Sequence, residues 1–282
     1  YRKSIYCRIH SNFSSQFKFM KYEEINLDYL KDIILKAGQE VLKIYHSNNI
    51  QKFSKIDNSP LTNADIKSHD LLSQFLLSQF PNIPILSEES IEKFKLNNVN
   101  DAFWCIDPID GTKEFLNKND EFTINIALIE KCSCTVGLIY APAMNTLYFA
   151  KKDAGAFKQK DKKISQIRIK NFNKNDIKFA VSRSHLSEQT DRFIKKFTNP
   201  TLIRMGSALK LCLVASGEVD CYPRFGPTSF WDIAAGHLII TEAGGVLTDT
   251  SHREFKYNIN YGYINSNFYA KNSLPLNKYL DD

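Results

Sequence analysis

The sequence predicts an α/β protein, with an α+β N-terminal half and a C-terminal half in which strands and helices alternate. Three observations lead there. Residues 25–47 repeat apolar side chains at helical spacing. Residues 122–128 alternate large apolar with small or polar side chains, the signature of strands in a meander. From residue 177 onward, strand-like and helix-like stretches follow one another, which implies a layered α/β arrangement.

The helical stretch carries Ile25, Leu27, Leu30, Ile33, Ile34, Ala37, Val41, Leu42 and Tyr45 on one face. Lys55-Ile-Asp-Asn-Ser-Pro60 is turn chemistry. Thr62 or Asn63 can cap a second helix, with Asp65 in its first turn and Leu71, Leu72, Phe75 and Leu76 on its buried face. Short strands at 84–87 and 102–106 lead into acidic residues. Strands at 134–140 and 146–150 flank a turn at Pro142–Asn145. The Lys-rich stretch 151–163 is the best internal boundary and divides residues 22–155 from 156–282. Beyond it the reading is strand 177–182, helix 187–197, strand 201–204, helix 207–216, strand 219–222, helix 231–243, and strands 246–248 and 261–265.

A chain of 282 residues, 43% hydrophobic, can bury a large core. No apolar run approaches the roughly 20 residues that span a membrane. Six cysteines without a C-x-x-C pair read as reduced, buried thiols of a cytoplasmic protein. The net charge of +6 belongs to the leader: residues 1–21 hold five basic residues and no acid, leaving 32 basic against 31 acidic in the body. A near-neutral body without a basic–aromatic pattern argues against a nucleic-acid polymer as partner. The leader lacks the apolar centre of a secretory signal. It reads as a poorly ordered basic extension, with Met20 as an alternative start and an organelle transit peptide as the second reading.

Trp104-Cys-Ile-Asp107-Pro-Ile-Asp110-Gly-Thr112 is the most informative stretch. Two carboxylates follow an apolar run with no Lys or Arg between them, so each raises the other's pKa unless a cation intervenes. Hard divalent cations take oxygen ligands, which makes Mg²⁺ the natural guest and Mn²⁺ an acceptable one. Gly111 and Thr112 then offer backbone N–H groups and a hydroxyl to an anion. Glu88, Asp232 and Asp65 likewise stand at strand ends or helix starts, where sites are usually built. Each alone is ordinary: Glu88-Glu89 reads as a solvated acidic pair, Asp65 and Asp232 as helix N-terminal charges. Gathered together, and with no histidine among them, they would select Mg²⁺ over zinc, clamp a phosphoryl group and activate a water. Thr112 would hold that water and Asp65 would take its proton.

Ser87-Glu-Glu89, Asp107-Pro-Ile-Asp110-Gly-Thr112, Trp231-Asp232-Ile-Ala-Ala-Gly236 and Glu242-Ala-Gly-Gly245, in that order, resemble the inositol monophosphatase superfamily over roughly residues 25–270. Lys113-Glu114-Phe115, Lys55–Thr62, Ser182-Arg-Ser-His185 and Tyr222–Thr228 are similar to its bacterial 3′(2′),5′-bisphosphate nucleotidase branch. The resemblance implies a layered αβαβα sandwich and a Mg²⁺-dependent, lithium-sensitive phosphatase with two or three metal ions. The implied reaction converts adenosine 3′,5′-bisphosphate to AMP and phosphate, which clears a by-product of sulfate assimilation. It implies a cytoplasmic enzyme, peripheral on the inner membrane's cytoplasmic face in some relatives. Neither oligomeric state nor metal count follows from the sequence.

The resemblance also assigns roles. Glu88, Asp107, Asp110, Asp232 and the carbonyl of Ile109 bind metal, Gly111 and Thr112 cradle the scissile phosphate, and Asp65, Glu88 and Thr112 activate water. Glu89 supports them from behind. Ser182, His185, Gly206, Ser207, Lys210, Arg224 and Asp232 meet the rest of a nucleotide bisphosphate, with Gly206-Ser207 a candidate anion site at a helix start. Ala208 departs from the second serine common in the family. Two alternatives stay open: an inositol or sugar monophosphatase of the same superfamily, and a non-catalytic nucleotide-binding protein.

Overall fold

The computed structural model describes residues 22–55, 59–94, 102–183 and 186–276. The basic extension 1–21, the turn residues 56–58, and Ser184 and His185 lie outside the described residues. In chain order the elements are α1 (Leu27–His46), β1 (Lys52–Ser54), β2 (Pro60–Thr62), α2 (Asn63–Gln79), β3 (Ile85–Ser87), β4 (Ala102–Asp110), α3 (Thr112–Leu116), β5 (Thr123–Glu130), β6 (Ser133–Ala141), β7 (Thr146–Lys151), β8 (Ala156–Lys160) and β9 (Lys163–Ile167). The second half continues with β10 (Lys178–Ser182), α4 (Glu188–Ile194), β11 (Thr201–Met205), α5 (Leu209–Ala215), β12 (Cys221–Arg224), β13 (Thr228–Ser229), α6 (Phe230–Glu242), β14 (Val246–Asp249), β15 (Ile264–Asn265) and β16 (Phe268–Lys271).

Helix α1 starts where Asn26 Oδ1 accepts from the Asp28 amide at 2.8 Å. Thr62 caps α2 in a reciprocal box: its hydroxyl accepts from the Ala64 amide, while its own amide donates to Asp65 Oδ2 at 2.7 Å. Glu88 opens a 3₁₀ turn, Glu88–Lys93, directly after β3.

Strands β3 to β9 form one seven-stranded sheet in sequence order, parallel at β3–β4 and antiparallel thereafter. From β4 to β7 both faces are buried, and strand alternation assigns each side chain to a face. Trp104, Ile106, Ile124, Ile126, Leu138 and Phe149 meet α1 and α2, with Leu30, Ile34 and Leu72 among their partners. Phe103, Cys105, Ala127, Ile129, Ile139 and Ala150 face the opposite way, toward α5 and α6. The same helices cover Ala180, Tyr222, Leu247 and Ala270 of a five-stranded sheet ordered β11-β10-β12-β16-β14. The far face of that sheet packs Phe179, Val181 and Tyr269 on Phe193 and Ile194 of α4. The layers are therefore helix, sheet, helix, sheet, helix, as the resemblance implies.

Three features depart from the reading of the sequence. The Lys-rich stretch 151–163 carries β8 and the start of β9, so the meander runs on to Ile167 and position 155/156 lies inside the sheet. The expected strand 261–265 is a 3₁₀ turn (Ile259–Tyr261) and the two residues of β15. Strand β16, absent from that reading, lies between β12 and β14. Its four residues have too little periodicity to announce a strand; pairing on both edges makes them one.

Backbone meets backbone closely at Gly137 on β6, where a Cβ would lie 2.7 Å from the carbonyl oxygen of Ala235 in α6. Backbone on both sides leaves no flexible atom to yield. Gly137→Ala is expected to cost about 2 kcal/mol of stability by overpacking, read as a lowered denaturant midpoint; an unchanged midpoint contradicts this packing. His237 of α6 makes a 2.8 Å hydrogen bond with the hydroxyl of Tyr257, and burial pushes its imidazole down to about 4. The unfolded chain binds this proton below about 6.5, so the contribution is intact above that pH and is lost as pH falls toward about 4, up to about 2 kcal/mol for this half-buried ring. His237→Gln is expected to flatten the dependence of Tm on pH between those limits; an unaltered slope contradicts it.

Candidate active site

The site begins with an irregularity in β4. Asp107 pairs with Asn125 and Asp110 with Thr123, so β4 advances three residues while β5 advances two. In a regular strand, residues three apart point to opposite faces. The extra residue cancels one alternation and re-aims the side chains, as β-bulges do beside active sites. Pro108 in this bulge has no N–H to forfeit. The bulge is pinned by Ile109 N donating to Asp107 Oδ1 at 3.1 Å and by Ser68 Oγ of α2 donating to the Pro108 carbonyl at 2.8 Å. Gly111 then turns the chain at φ +89°, a left-handed conformation that favours glycine, and α3 starts at Thr112.

Around this turn the carboxylates share one electrostatic field. Burial pushes the Asp107 carboxyl well above the usual range, and Glu88, Asp110 and Asp232 add to it. Asp110 is raised to about 6 by burial, against the pull of Lys210 and of the Ala208 amide, which donates to Oδ2 at 2.6 Å. Asp232, in the first turn of α6, is raised to about 8 by burial and then by Asp110, although the Ser229 amide donates to it at 2.7 Å. Asp65 is raised by burial, opposed by its bonds from Thr62. Asp232 thus lines one pocket with Asp110, and Glu88 acts on Asp107 through the field.

Thr112 and Asp65 adjoin as expected. Thr112 Oγ1 lies 3.3 Å from both Asp65 Oδ1 and the Ile109 carbonyl, while Thr62 binds the other Asp65 oxygen. Lys55, for which the sequence suggested no role, has its ammonium 2.6 Å from Glu88 and 2.7 Å from Glu89. Burial works against its charge, and the two glutamates overcome this to raise its pKa. Glu89 is itself raised to about 7 by burial, with Lys55 opposing. Turn chemistry and the resemblance of Lys55–Thr62 were visible in one dimension; the two partners of Lys55 were not.

On the other side of Asp110 a pocket is lined by Gly111, Ser207, Lys210, Tyr222, Arg224 and Asp232. Lys210 is almost fully buried, and burial lowers its pKa to about 8 against the pull of Asp110. Its ammonium donates to the Ser207 carbonyl at 2.7 Å. Arg224 Nη1 reaches Ser182 Oγ at 3.4 Å, and its buried Nε has no partner among the described residues. Ser182 thus joins the pocket through Arg224. At the helix start expected to meet an anion, the amides on either side of Ser207 are already taken. Glu121 Oε2 takes the Gly206 amide at 2.8 Å and Asp110 takes that of Ala208. Acidic side chains from the other half satisfy these donors, and the spacing of residues within either half cannot reveal that.

The donor set suits a hard divalent cation. It is all oxygen and predominantly anionic, and Thr123 Oγ1 and Asn125 Oδ1, opposite Asp110 and Asp107, are buried without partners among the described residues. No group of three or more His, Cys, Asp or Glu side chains among the described residues is arranged to hold a metal ion. Their mutual repulsion predicts that one neutral replacement relieves strain. Asp107→Asn keeps the oxygen that accepts from Ile109 and removes a buried charge, so in chelator it is expected to unfold at a higher temperature than wild type, by about 1 kcal/mol. A lower Tm contradicts the crowding.

The chain has relatives among known proteins. The profile of the inositol monophosphatase family matches residues 26–280. A 3′(2′),5′-bisphosphate nucleotidase CysQ of Buchnera aphidicola is 38% identical over 247 residues, covering 86% of this chain and 92% of the relative. The CysQ of Escherichia coli K12 is 35% identical over 243 residues, covering 86% and 98%. Among solved structures, CysQ from Bacteroides thetaiotaomicron, titled a bacterial member of the inositol monophosphatase family, superposes with a TM-score of 0.76 at 36% identity, covering 87% and 96%. A Thermotoga maritima IMPase gives 0.75 at 28% identity, covering 89% and 94%. The chain belongs to the inositol monophosphatase family.

Proposed function

We propose that this protein is a Mg²⁺-dependent 3′(2′),5′-bisphosphate nucleotidase that hydrolyses adenosine 3′,5′-bisphosphate to AMP and phosphate. The observation that carries the reading is one pocket with two opposed linings: Asp110 and Asp232 beside Lys210 and Arg224. The carboxylates suit a metal-bound phosphate, and the cations, one with an unpartnered buried N–H, suit a second anionic group. The CysQ relatives bear the name of that activity.

Glu88, Asp107, Asp110, Asp232 and the Ile109 carbonyl would hold the metal once its charge draws the carboxylates out of the separate bonds they make without it, Glu88 from Lys55 and Asp232 from the Ser229 amide. When bound, Mg²⁺ neutralises phosphate charge and lowers the pKa of water. Thr112 orients the attacking water: its hydroxyl hydrogen goes to Asp65 Oδ1, which leaves its oxygen to accept from the water. Asp65 accepts the proton, held in place by Thr62 and shielded from solvent. Gly111 allows the sharp turn that brings the start of α3 to the phosphate. Lys210, Arg224 and Ser182 bind the phosphate that stays on the nucleotide, and Ser207 holds Lys210 in place.

Phosphate release from adenosine 3′,5′-bisphosphate with Mg²⁺ tests the reading. Turnover is expected to exceed that on inositol 1-phosphate and to fall with added lithium. Asp107→Asn and Asp232→Asn are expected to lose at least about a thousandfold in kcat while remaining folded. Preference for inositol 1-phosphate, or full activity in either variant, refutes it.

A further inference from the structure

We propose that Glu121 is a positioning residue of this active site, keying the Gly206–Ala208 turn and the Ser182–Arg183 strand end to the wall that carries Asp110. The inference rests on the pocket being the substrate site. Glu121 lies just before β5 and is only 5% exposed, an expensive place for a carboxylate that has no task. Each oxygen is used. Oε2 accepts from Arg183 Nε at 2.6 Å and from the Gly206 amide at 2.8 Å, and Oε1 accepts from Arg183 Nη2. That guanidinium also donates to the Arg204 carbonyl at 3.1 Å, so one carboxylate gathers the ends of β10 and β11.

The turn has no slack. A Cβ at residue 206 would lie 2.6 Å from Cγ of Glu114 and 2.8 Å from the Glu121 carbonyl oxygen, so the contact with Glu121 requires glycine. Ser207 takes a left-handed conformation at φ +48°, uncommon without glycine. Ala208 then delivers its amide to Asp110 at 2.6 Å. Two carboxylates of the N-terminal layer hold this turn, one at each end. Between them stands Ser207, which lines the pocket and whose carbonyl holds the Lys210 ammonium. Arg183, in the same arrangement, serves as a brace, because its Nε–Nη2 edge is committed to Glu121. Without the carboxylate, the turn loses its first anchor, and Ser207 and Lys210 lose their position at the pocket.

The test compares wild type, Glu121→Gln and Arg183→Met in two measurements. In steady-state hydrolysis of adenosine 3′,5′-bisphosphate with Mg²⁺, both variants are expected to raise KM about tenfold and leave kcat within about threefold. In hydrogen–deuterium exchange of the metal-free proteins, the 206–208 amides are expected to exchange faster while β5 and α6 keep their protection. A wild-type KM together with unaltered exchange at 206–208 overturns the proposal. Loss of protection across the whole β5–β7 region also overturns it, since that marks a general structural role. If Glu121→Gln does not fold, Arg183→Met decides, because that side chain is the more exposed of the two. Exchange does not depend on turnover: an inactive wild type sinks the nucleotidase reading, and the exchange result still decides Glu121.

Discussion

One extra residue in β4 sets up the site. The bulge between Asp107 and Asp110 undoes one strand alternation, and without it the two carboxylates would point to opposite faces of a sheet buried on both sides. One would then enter the apolar layer made by α1 and α2. The neighbouring elements hold the irregularity: Ser68 of α2 caps the Pro108 carbonyl, Thr112 touches the Ile109 carbonyl, and Asn125 contacts Asp110 Oδ2 at 3.5 Å and the Trp231 carbonyl at 3.3 Å.

The layered fold surrounds this bulge with carboxylates from three directions and an amide from a fourth. Helix α2 brings Asp65, the turn after β3 brings Glu88, α6 brings Asp232, and the turn before α5 supplies the Ala208 amide. Burial and like charge together keep Asp107, Asp110 and Asp232 above their ordinary range, a cost to the fold that a bound cation would offset. Lys55 tempers that field through direct bonds to Glu88 and Glu89, and Lys210 tempers it through space, lowering the pKa of Asp110 while its ammonium is bonded to the Ser207 carbonyl. The site is therefore destabilised by design of its chemistry, and the large cores on both faces of the seven-stranded sheet supply the stability that tolerates it.

Much of this was legible in one dimension. The α1 and α2 faces, the β5–β7 meander and the strand–helix alternation after 177 follow from period and composition, because each is long enough to carry a repeat. The acidic candidates stood out because carboxylates at strand ends and helix starts break an apolar run. Strand β16 and the edge pair β8–β9 were not legible, since a four-residue strand and a Lys-rich hairpin take their identity from the neighbours they pair with. The same holds for Lys55 and Glu121, whose partners lie 33 and 62 residues away in the chain.

The sequence by itself determined which residue types are available: four acidic motifs, a Gly-Thr turn, a two-faced meander and a near-neutral body. Those follow from local chemistry, where period, caps and turn residues act over a few positions. Only the tertiary structure decided that Asp65, Glu88, Asp107, Asp110 and Asp232 share one field, that Lys210 and Arg224 line the same pocket, and that Glu121 and Asp110 take the amides a local reading left for an anion. Electrostatic coupling and hydrogen bonding depend on distance in space, and sheet register and layer packing alone set that distance.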